Sequence, residues 1–347
     1  MKQLQQTIKS IQPLQQDVMK KVQGHVTQLA KPIGALGRIE ELAIQIAGIT
    51  GRERPTVHKP AVIVAAADHG IVTEGVSAYP QDVTKLMLQT FVQGKAAINV
   101  FSNQIGAEVY VVDVGVKGDA SFEGVLQRKV KNGTANFLHE DAMTRSEAVK
   151  AIEIGIALAD ESINKGHELL ITGEMGIGNT TASSAITAAI TSTNVEDVVG
   201  RGTGLNDEQY AEKIKIIENA IVARNPNRND GLDVLSKVGG LEIALLTGVI
   251  LQGASRQIPV IVDGFISSAA ALTACSLCPT VQEHLIISHQ SVEQGQRAIF
   301  AHLKKKPLLS LDLRLGEGTG AALAYPLIQA STNILTEMAT FSDLGLE

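Results

Sequence analysis

The segment AVIVAAADHG, from Ala61 to Gly70, joins seven apolar residues to a polar end that closes with glycine. Five further segments share this organisation, a short apolar run rich in β-branched residues followed by polar residues or glycine. They are EVYVVDVG (Glu108 to Gly115), ELLITGE (Glu168 to Glu174), PVIVDG (Pro259 to Gly264), LIISHQS (Leu285 to Ser291) and LLSLDLRLGEG (Leu308 to Gly318). Because helix-length amphipathic stretches separate most of these runs, the pattern predicts an α/β fold. We expect six strands in a mostly parallel, Rossmann-like sheet with helices on both faces.

The polar ends of these strands are expected to meet at one edge of the sheet. Right-handed crossovers make the strands parallel, and open α/β folds bind ligands beyond the carboxyl ends of their strands. The side chains predicted at this edge are Asp68, His69, Asp113, Glu174, Asp263, Ser288, His289, Ser291 and Glu317. The connection from Thr180 to Gln257 is too long for one crossover. It predicts several helices, among them Asp207 to Arg224 and Gly240 to Gln257, inserted over the site.

Helical periodicity also marks both ends of the chain. A turn at KPIGALGRIEELA precedes a helix that begins near Arg38, and a further helix is predicted from about Leu327 to Met338. These segments are predicted to form a small helical lobe, residues 1–55 with 327–347. Residues 56–326 are then predicted to form the large α/β catalytic domain.

Composition limits the classes of function. The chain has 347 residues, 44% of them apolar and 3% aromatic, with a formal net charge of −6, which disfavours a nucleic-acid partner. The N-terminus has no apolar core of a signal peptide, and no stretch has the roughly 18 unbroken apolar residues of a membrane span. We therefore expect a cytoplasmic protein with no membrane partner. Cys275 and Cys278 form the C-x-x-C of a metal or redox site, but packing inside a buried helix is the favoured interpretation.

A glycine-rich turn, GEMGIGNTTASSAI from Gly173 to Ile186, follows a predicted strand and begins a helix. Backbone N–H groups and the helix dipole bind phosphate in this context. The glycine spacing is that of a P-loop, but Asn179 stands where the P-loop lysine would be, which disfavours a nucleoside triphosphate. With the Thr180 and Thr181 hydroxyls, the turn is better suited to a monophosphate. The alternative is a turn needed only for packing.

A second glycine-rich turn, RLGEGTGAALA from Arg314 to Ala324, places Glu317 between two glycines before a small-residue helix. A carboxylate partly enclosed by apolar strand ends has a raised pKa, which suits a general base. The alternative is an acid that interacts with the helix dipole.

Two other segments contain polar groups with weaker signals. In AADHGIVTEGVSAYPQDVT, Asp68 and His69 point to opposite sides of a strand, so loop-ordering hydrogen bonds are favoured over a metal site. Tyr79 precedes Pro80 and is a candidate wall for a flat ligand, or else it packs on its own loop. In ISHQSVEQG, Ser291 is a possible helix cap. Neither the G-x-S-x-G of a serine hydrolase nor an opening G-x-G-x-x-G of a dehydrogenase is present.

Together these motifs carry a family resemblance. KPIGALGRIEELA, AADHGIVTEGVSAYPQDVT, GEMGIGNTTASSAI, KVGGLEIALLTGVILQGA, PVIVDGFISSAAAL, SHQSVEQG and LRLGEGTGAALA occur in order between about Lys31 and Pro326. The chain resembles the nicotinate-nucleotide–dimethylbenzimidazole phosphoribosyltransferase family. The resemblance implies a six-stranded parallel sheet with a small lobe made from both termini, a homodimer, and conversion of nicotinate mononucleotide and 5,6-dimethylbenzimidazole to α-ribazole 5′-phosphate and nicotinate. This reaction belongs to cobalamin biosynthesis.

The resemblance also assigns residues. Glu317 is implied as the catalytic base that takes the azole N–H proton, with Glu174 and Asp263 as carboxylates that stabilise positive charge on the ribose. The implied phosphate ligands are Gly176, Gly178, Asn179, Lys213 and Ser291, and the implied benzimidazole slot is formed by Tyr79, Met87 and Leu315. No metal or other cofactor is expected, because the donor carries one phosphate rather than a pyrophosphate. Two alternatives stay open, a P-loop-like nucleotide hydrolase and a non-catalytic cobamide-precursor binding protein.

Overall fold

The computed structural model describes residues 1–202 and 204–346. Its main sheet has six strands, all parallel, in the order β3-β2-β1-β4-β5-β6. The strands are β1 (Pro60–Ala67), β2 (Glu108–Gly115), β3 (Val125–Gln127), β4 (Leu169–Met175), β5 (Val260–Val262) and β6 (Leu285–Ile287). The predicted α/β class and the number of strands are confirmed.

One predicted strand was wrong. The segment from Leu308 to Gly318 does not join the main sheet. Only β8 (Leu309–Ser310) is extended there, paired with β7 (His289–Gln290) in a separate two-stranded sheet. Its alternation of leucine with polar residues resembles a strand, but Leu311 and Leu315 are 51% and 57% exposed, and Asp312 has a left-handed φ of 52°. The sixth strand is instead β3, whose three residues are too few for a periodic signal.

Helices cover both faces of the sheet. The longer ones are α1 (Lys2–Ser10), α2 (Gln16–Gln28), α3 (Arg38–Thr50), α4 (Asp82–Val92), α5 (Ala97–Ile105), α6 (Arg145–Asn164), α7 (Asn179–Thr191), α9 (Asp207–Arg224), α10 (Gly231–Val238), α11 (Leu241–Ser255), α12 (Phe265–Leu277), α14 (Gly295–Leu303) and α15 (Thr319–Glu337). Two helices of four residues each are α8 (Val195–Val198) and α13 (Val281–His284). Short 3₁₀ helices span Gly70–Glu74 and Ser342–Leu344.

Alternate residues of β1 enter two separate cores because side chains of a strand point to opposite faces. Ala61, Ile63 and Ala65 pack in the core that contains α6, α11 and α12. Val62 and Val64 pack in the other core, with α3, α4, α5 and α15. All eight residues of β1 are buried, as expected of a central parallel strand.

The long connection between β4 and β5 contains the helices that the sequence predicts, but not all of them lie over the site. α9 and α11 have bounds close to the predicted ones. Every residue of α11 from Leu241 to Ala254 is buried, and the helix packs against α6 and the face of the sheet. The expectation that the whole segment is an insertion over the site was therefore wrong for α11, which is a buried crossover helix.

The two ends of the chain are hydrogen bonded to each other. Leu29 and Thr340 form an antiparallel bridge, and the Phe341 N–H donates to the Gln28 carbonyl at 2.9 Å. α2, α3 and α15 share a small apolar cluster, whereas α1 packs against α6 and α11. α15 begins at Thr319, earlier than predicted, and continues through Pro326. The division into a lobe and a catalytic domain stays a prediction.

Two findings concern a thiol-based site and a membrane span. Cys275 and Cys278 are buried free thiols, and burial raises the pKa of the Cys275 thiol to about 12, so the thiolate is disfavoured. Among residues 1–202 and 204–346, no helix is long and apolar enough to span a membrane.

Candidate active site

A cavity of about 490 Å³ lies at the carboxyl ends of β4, β5 and β6. It is lined by residues from six segments. These are Tyr79, Val83 and Met87; Glu174 to Ile177 with Asn179 and Thr180; Gly202; Gly264 to Ile266; His289, Ser291 and Glu293; and Asp312 to Glu317. The edge of the sheet thus joins both glycine-rich turns in one cavity, as the topology of open α/β folds requires.

The two turns approach each other closely through glycines. A Cβ on Gly173 would lie 2.3 Å from the Glu317 carbonyl oxygen, and one on Gly316 would lie 2.2 Å from Oε1 of Glu174. Gly316, Glu317 and Gly318 all have positive φ, at 84°, 64° and 94°. A left-handed glutamate is uncommon, and such backbone strain persists at sites where the surrounding structure holds it.

This conformation directs the Glu317 carboxylate into a buried position at the start of α5. Its Oε2 accepts from the Ile98 N–H at 3.4 Å, and the residue is 5% exposed. Burial raises the pKa of Glu317, the Ile98 N–H opposes this effect, and Asp263 adds to the rise. A carboxyl group with a raised pKa is a competent general base near neutral pH.

Glu174 is more strongly perturbed than Glu317. Complete burial, followed by the charges of Glu242, Asp263 and Glu317, raises its pKa well above the ordinary value. The hydrogen bond that the Asn179 side-chain amide donates to Oε2 opposes this rise. Neighbouring carboxyl groups oppose one another's ionisation in a dry site, so protonation of Glu174 is favoured relative to an ordinary glutamate.

Asp263 does not line the cavity, but it holds the loop that does. Its carboxylate accepts from the Gly318 N–H at 3.2 Å and from the Ala321 N–H at 2.9 Å, at the start of α15. His289 Nδ1 lies 3.8 Å from the same carboxylate. Burial raises the pKa of Asp263, while His289 and these N–H groups oppose the rise. Asp263 therefore holds the backbone next to Glu317 in place.

The predicted anion turn also lines the cavity. Gly176, Asn179 and Thr180 line it, and α7 begins there without a side-chain cap. Gly178 does not line the cavity. It has a φ of 93°, and a Cβ there would lie 2.6 Å from Val72, so packing explains this glycine. Thr181 is fully buried beneath the turn.

Lys213 reaches the anion turn from α9 without lining the cavity. Its Nζ donates to Thr180 Oγ1 at 3.0 Å and to the Gly200 carbonyl at 3.3 Å. Lys213 is fully buried, and burial lowers its pKa to about 8, an effect that Glu293 opposes. A buried ammonium group beside a helix N-terminus suits an anionic ligand. Ser291 also lines this part of the cavity.

The three predicted slot residues all line the cavity. Tyr79 is 55% exposed, Met87 lies on α4, and Leu315 comes from the loop before α15. Their apolar surfaces face a cavity that also contains polar groups, which is usual for sites that bind planar organic ligands.

The cavity also contains residues that were absent from the predicted site, among them Arg314, Glu293 and His289. Arg314 and Glu293 both lie in motifs quoted from the sequence, and His289 was expected only at the edge of the sheet. Glu293 and Arg314 are charged residues that lie within or beside turns conspicuous in the sequence. This position is the signal from which they could have been predicted as site residues. Asp113 lies outside the cavity, where its Oδ1 accepts from the Val116 N–H at 2.8 Å.

A buried ion pair lies directly beneath the anion turn. His69 Nε2 is 2.8 Å from Oε1 of Glu242, and both side chains are 0% exposed. A Cβ on Gly176 would lie 3.4 Å from this imidazole nitrogen, so the ring packs under the turn. Burial lowers the pKa of His69, but Glu242 and Asp68 more than offset this effect, and the pKa is raised. Asp68 accepts from the Lys117 N–H at 2.7 Å, as expected of a loop-ordering residue.

Glu242→Gln should destabilise the fold by about 3 kcal/mol at pH 6, because it leaves a buried histidine without its counter-charge. A raised folded pKa contributes stability that is complete below the unfolded value of ~6.5 and is lost as pH rises through the folded value. The difference between wild type and variant should therefore shrink at high pH. Urea unfolding at pH 6 and pH 9 measures this, and an equal difference at both values would contradict a charged His69.

The fold and cavity place the chain among open α/β proteins that bind ligands at the carboxyl edge of a parallel sheet. A family model described as a phosphoribosyltransferase matches residues 11–346. The nicotinate-nucleotide–dimethylbenzimidazole phosphoribosyltransferase of Chloroflexus aggregans is 55% identical over 344 residues, 99% of this chain and 98% of that relative. The enzyme of the same name from Geobacter metallireducens is 50% identical over 345 residues, again 99% and 98%.

Solved structures agree with this assignment. The crystal structure of CobT from Thermus thermophilus superposes with a TM-score of 0.92 at 44% identity, covering 95% of this chain and 99% of that one. The chain belongs to this family of phosphoribosyltransferases, which are enzymes of the pentosyltransferase type.

Proposed function

We propose that the protein transfers the 5-phosphoribosyl group of nicotinate mononucleotide to a nitrogen of 5,6-dimethylbenzimidazole, giving α-ribazole 5′-phosphate and nicotinate. The names of the relatives support this reaction. The observation that carries it is one cavity that is lined both by a buried carboxylate of raised pKa, Glu317, and by an anion turn that Lys213 contacts.

In the proposed mechanism, Glu317 takes the N–H proton of the azole while the other ring nitrogen attacks C1′ of the ribose. The C1′–N bond to nicotinate breaks, and its electron pair returns to the pyridinium nitrogen, which becomes neutral. The leaving group therefore needs little acid catalysis. Attack on the face opposite the leaving base converts a β-nucleotide into an α-ribotide.

Positive charge that develops on the ribose is proposed to be stabilised by Glu174 and Asp263. Asp263 acts from below the cavity, through the loop that it holds by the Gly318 and Ala321 N–H groups. Because this stabilisation requires the carboxylate and burial raises the pKa of Glu174, we infer that its contribution increases as pH rises.

The donor phosphate is proposed to bind at the anion turn. The predicted ligands are Gly176, Gly178, Asn179, Lys213 and Ser291, of which Gly178 acts through the shape of the turn. The azole is proposed to lie against Tyr79, Met87 and Leu315. The homodimer, the cytoplasmic location and the absence of a cofactor stay predictions, which light scattering, cell fractionation and assay after chelator treatment would test.

In the deciding experiment, purified protein is incubated with nicotinate mononucleotide and 5,6-dimethylbenzimidazole, and the products are measured by chromatography. Equimolar nicotinate and an α-linked ribotide are expected. Binding of both ligands without product would instead favour a non-catalytic binding protein, and magnesium-dependent turnover of a nucleoside triphosphate would favour a hydrolase.

Tyr79→Ala should change which azoles are accepted, because it removes a flat wall of the proposed slot. Stacking of an aromatic ring contributes about 1 kcal/mol, so kcat/KM for dimethylbenzimidazole should fall about fivefold. Unsubstituted benzimidazole lacks the two methyl groups, so its kcat/KM should fall by a smaller factor and the ratio between the two azoles should change. Leu86→Ala is the matched control, because Leu86 lies on α4, is 59% exposed and does not line the cavity. An unaltered preference in the Tyr79 variant would remove this residue from the slot.

A further inference from the structure

Glu293 is a buried carboxylate that lines the cavity beside Gly202. The residue is 8% exposed, lines the cavity and follows Ser291, whose Oγ accepts from the Glu293 N–H at 3.3 Å. Its Oε1 accepts from the Gly202 N–H at 3.1 Å. Its Oε2 has no hydrogen-bond partner among the described atoms. An unpaired, desolvated carboxylate oxygen is costly, so its presence requires an explanation.

Glu293 and Lys213 hold the same backbone segment from two sides. Lys213 Nζ donates to the Gly200 carbonyl, and a Cβ on Gly202 would lie 3.4 Å from this nitrogen. A Cβ on Gly200 would lie 1.8 Å from Glu293 Oε2. The segment 200–202 therefore lies between the carboxylate and the ammonium group, beside Thr180 at the start of α7.

The charged groups that act on Glu293 are Lys213 from α9 and Arg314 from the loop before α15. The neighbouring helix α7 has no titratable side chain, and the two acids of α8, Glu196 and Asp197, are exposed. Burial raises the pKa of Glu293, while Lys213, the Gly202 N–H and Arg314 oppose the rise. A second anion in this pocket would face the Glu293 charge at short range in a region of low dielectric.

We propose that Glu293 is the internal counter-ion of Lys213 in the unliganded protein, and that the phosphate of a phosphate monoester replaces it at the Gly202 N–H while Glu293 takes up one proton. This inference rests on the proposed function for the identity of the donor. The proton comes from solvent, and the carboxylate becomes a neutral carboxyl group that donates a hydrogen bond to the bound phosphate or to a backbone carbonyl. Glu293 thus sets the pH range in which the donor binds, although it contacts none of the reacting atoms.

The test uses the full chain and two probes, inorganic phosphate and sulfate. Sulfate is needed because it does not gain or lose a proton near neutral pH. Any proton taken up when sulfate binds must therefore bind to a group of the protein. Calorimetric titration at pH 7.5 in two buffers of different ionisation enthalpy should show proton uptake by the wild type with both probes. Sulfate affinity should fall as pH rises, by up to about tenfold per pH unit above the Glu293 pKa.

Glu293→Gln removes the charge but keeps an acceptor for the Gly202 N–H. This variant should bind sulfate about tenfold more tightly than wild type at pH 8 and should take up fewer protons than wild type. The remaining uptake belongs to Lys213, whose pKa is about 8. Glu293→Asp keeps the charge and should still take up a proton, which separates the charge from any general disturbance of the loop. Glu196→Gln on α8 is the matched control and should behave as wild type.

Weaker sulfate binding by Glu293→Gln, or proton uptake that is equal in wild type and this variant, would overturn the proposal, as would failure of all variants to bind either anion. These outcomes are distinct from failure of the proposed function. Proton-linked anion binding without turnover of nicotinate mononucleotide would contradict only the proposed reaction. Turnover without proton uptake on anion binding would contradict only the proposed role of Glu293.

Discussion

Glu317→Gln is expected to lower kcat by about 10²-fold or more, the usual contribution of a general base. Glutamine has nearly the same shape and can still accept from the Ile98 N–H, so the loop between Gly316 and Gly318 should keep its conformation. What the variant loses is the ability to accept the azole proton. Steady-state kinetics with both substrates saturating measures the effect, and Glu218→Gln on the exposed face of α9 is the control.

The pH dependence gives an independent check on Glu317. A base must be deprotonated, and burial raises the pKa of Glu317 above its ordinary value. In wild type kcat should therefore fall as pH decreases through this raised pKa, and the fall should be absent from the residual activity of Glu317→Gln. Unchanged turnover, or an acid limb that persists in the variant, would assign the proton transfer to another carboxyl group such as Glu174.

The same substitution should leave stability equal to wild type or slightly higher at neutral pH. A carboxyl group with a raised folded pKa contributes stability that is complete below its unfolded pKa and is lost as pH rises through the folded value. At pH 7 the ionised Glu317 is thus a cost to the fold, which glutamine removes. A gain in stability with a loss of kcat is the pattern expected of a residue kept for chemistry.

Lys213→Met is expected to raise the KM for nicotinate mononucleotide about 30-fold or more, because truncating one partner of a buried charged hydrogen bond costs about 2 kcal/mol or more. At saturating donor kcat should change several-fold at most, since Lys213 contacts the anion turn and lies outside the lining of the cavity. Lys215→Met is a matched control on the same helix, with a side chain that is 65% exposed. A fall in kcat with an unchanged KM would place Lys213 in the chemical step.

The donor affinity of the wild type should also depend on the charge of Lys213. Burial lowers its pKa to about 8, so the ammonium form is lost as pH rises past this value. The KM for the donor should increase above pH 8 in wild type, and the part of this increase that is due to Lys213 should be absent in Lys213→Met. Glu293 titrates in the same site, so the profile of the double variant Lys213→Met with Glu293→Gln separates the two contributions.

Local sequence patterns determined much of the architecture. β1, β2 and β4 lie within three residues of their predicted bounds, as do α9 and α11, because each has a long apolar pattern with clear polar or glycine boundaries. The two glycine-rich turns were also identified locally, since a left-handed φ and a close backbone approach need glycine. The order of these motifs was enough to predict the family.

Tertiary structure decided what no local pattern could encode. The segment from Leu308 to Gly318 has the alternation of a strand, yet it contributes residues to the lining of the cavity, and the sixth place in the sheet belongs to β3. The pairing of Glu293 with Gly202 and of His69 with Glu242 joins residues 91 and 173 positions apart. Periodicity reports only whether a side chain is buried. Which charges meet inside the protein depends on how the crossovers place the strand ends, and this placement sets the pKa values of the site.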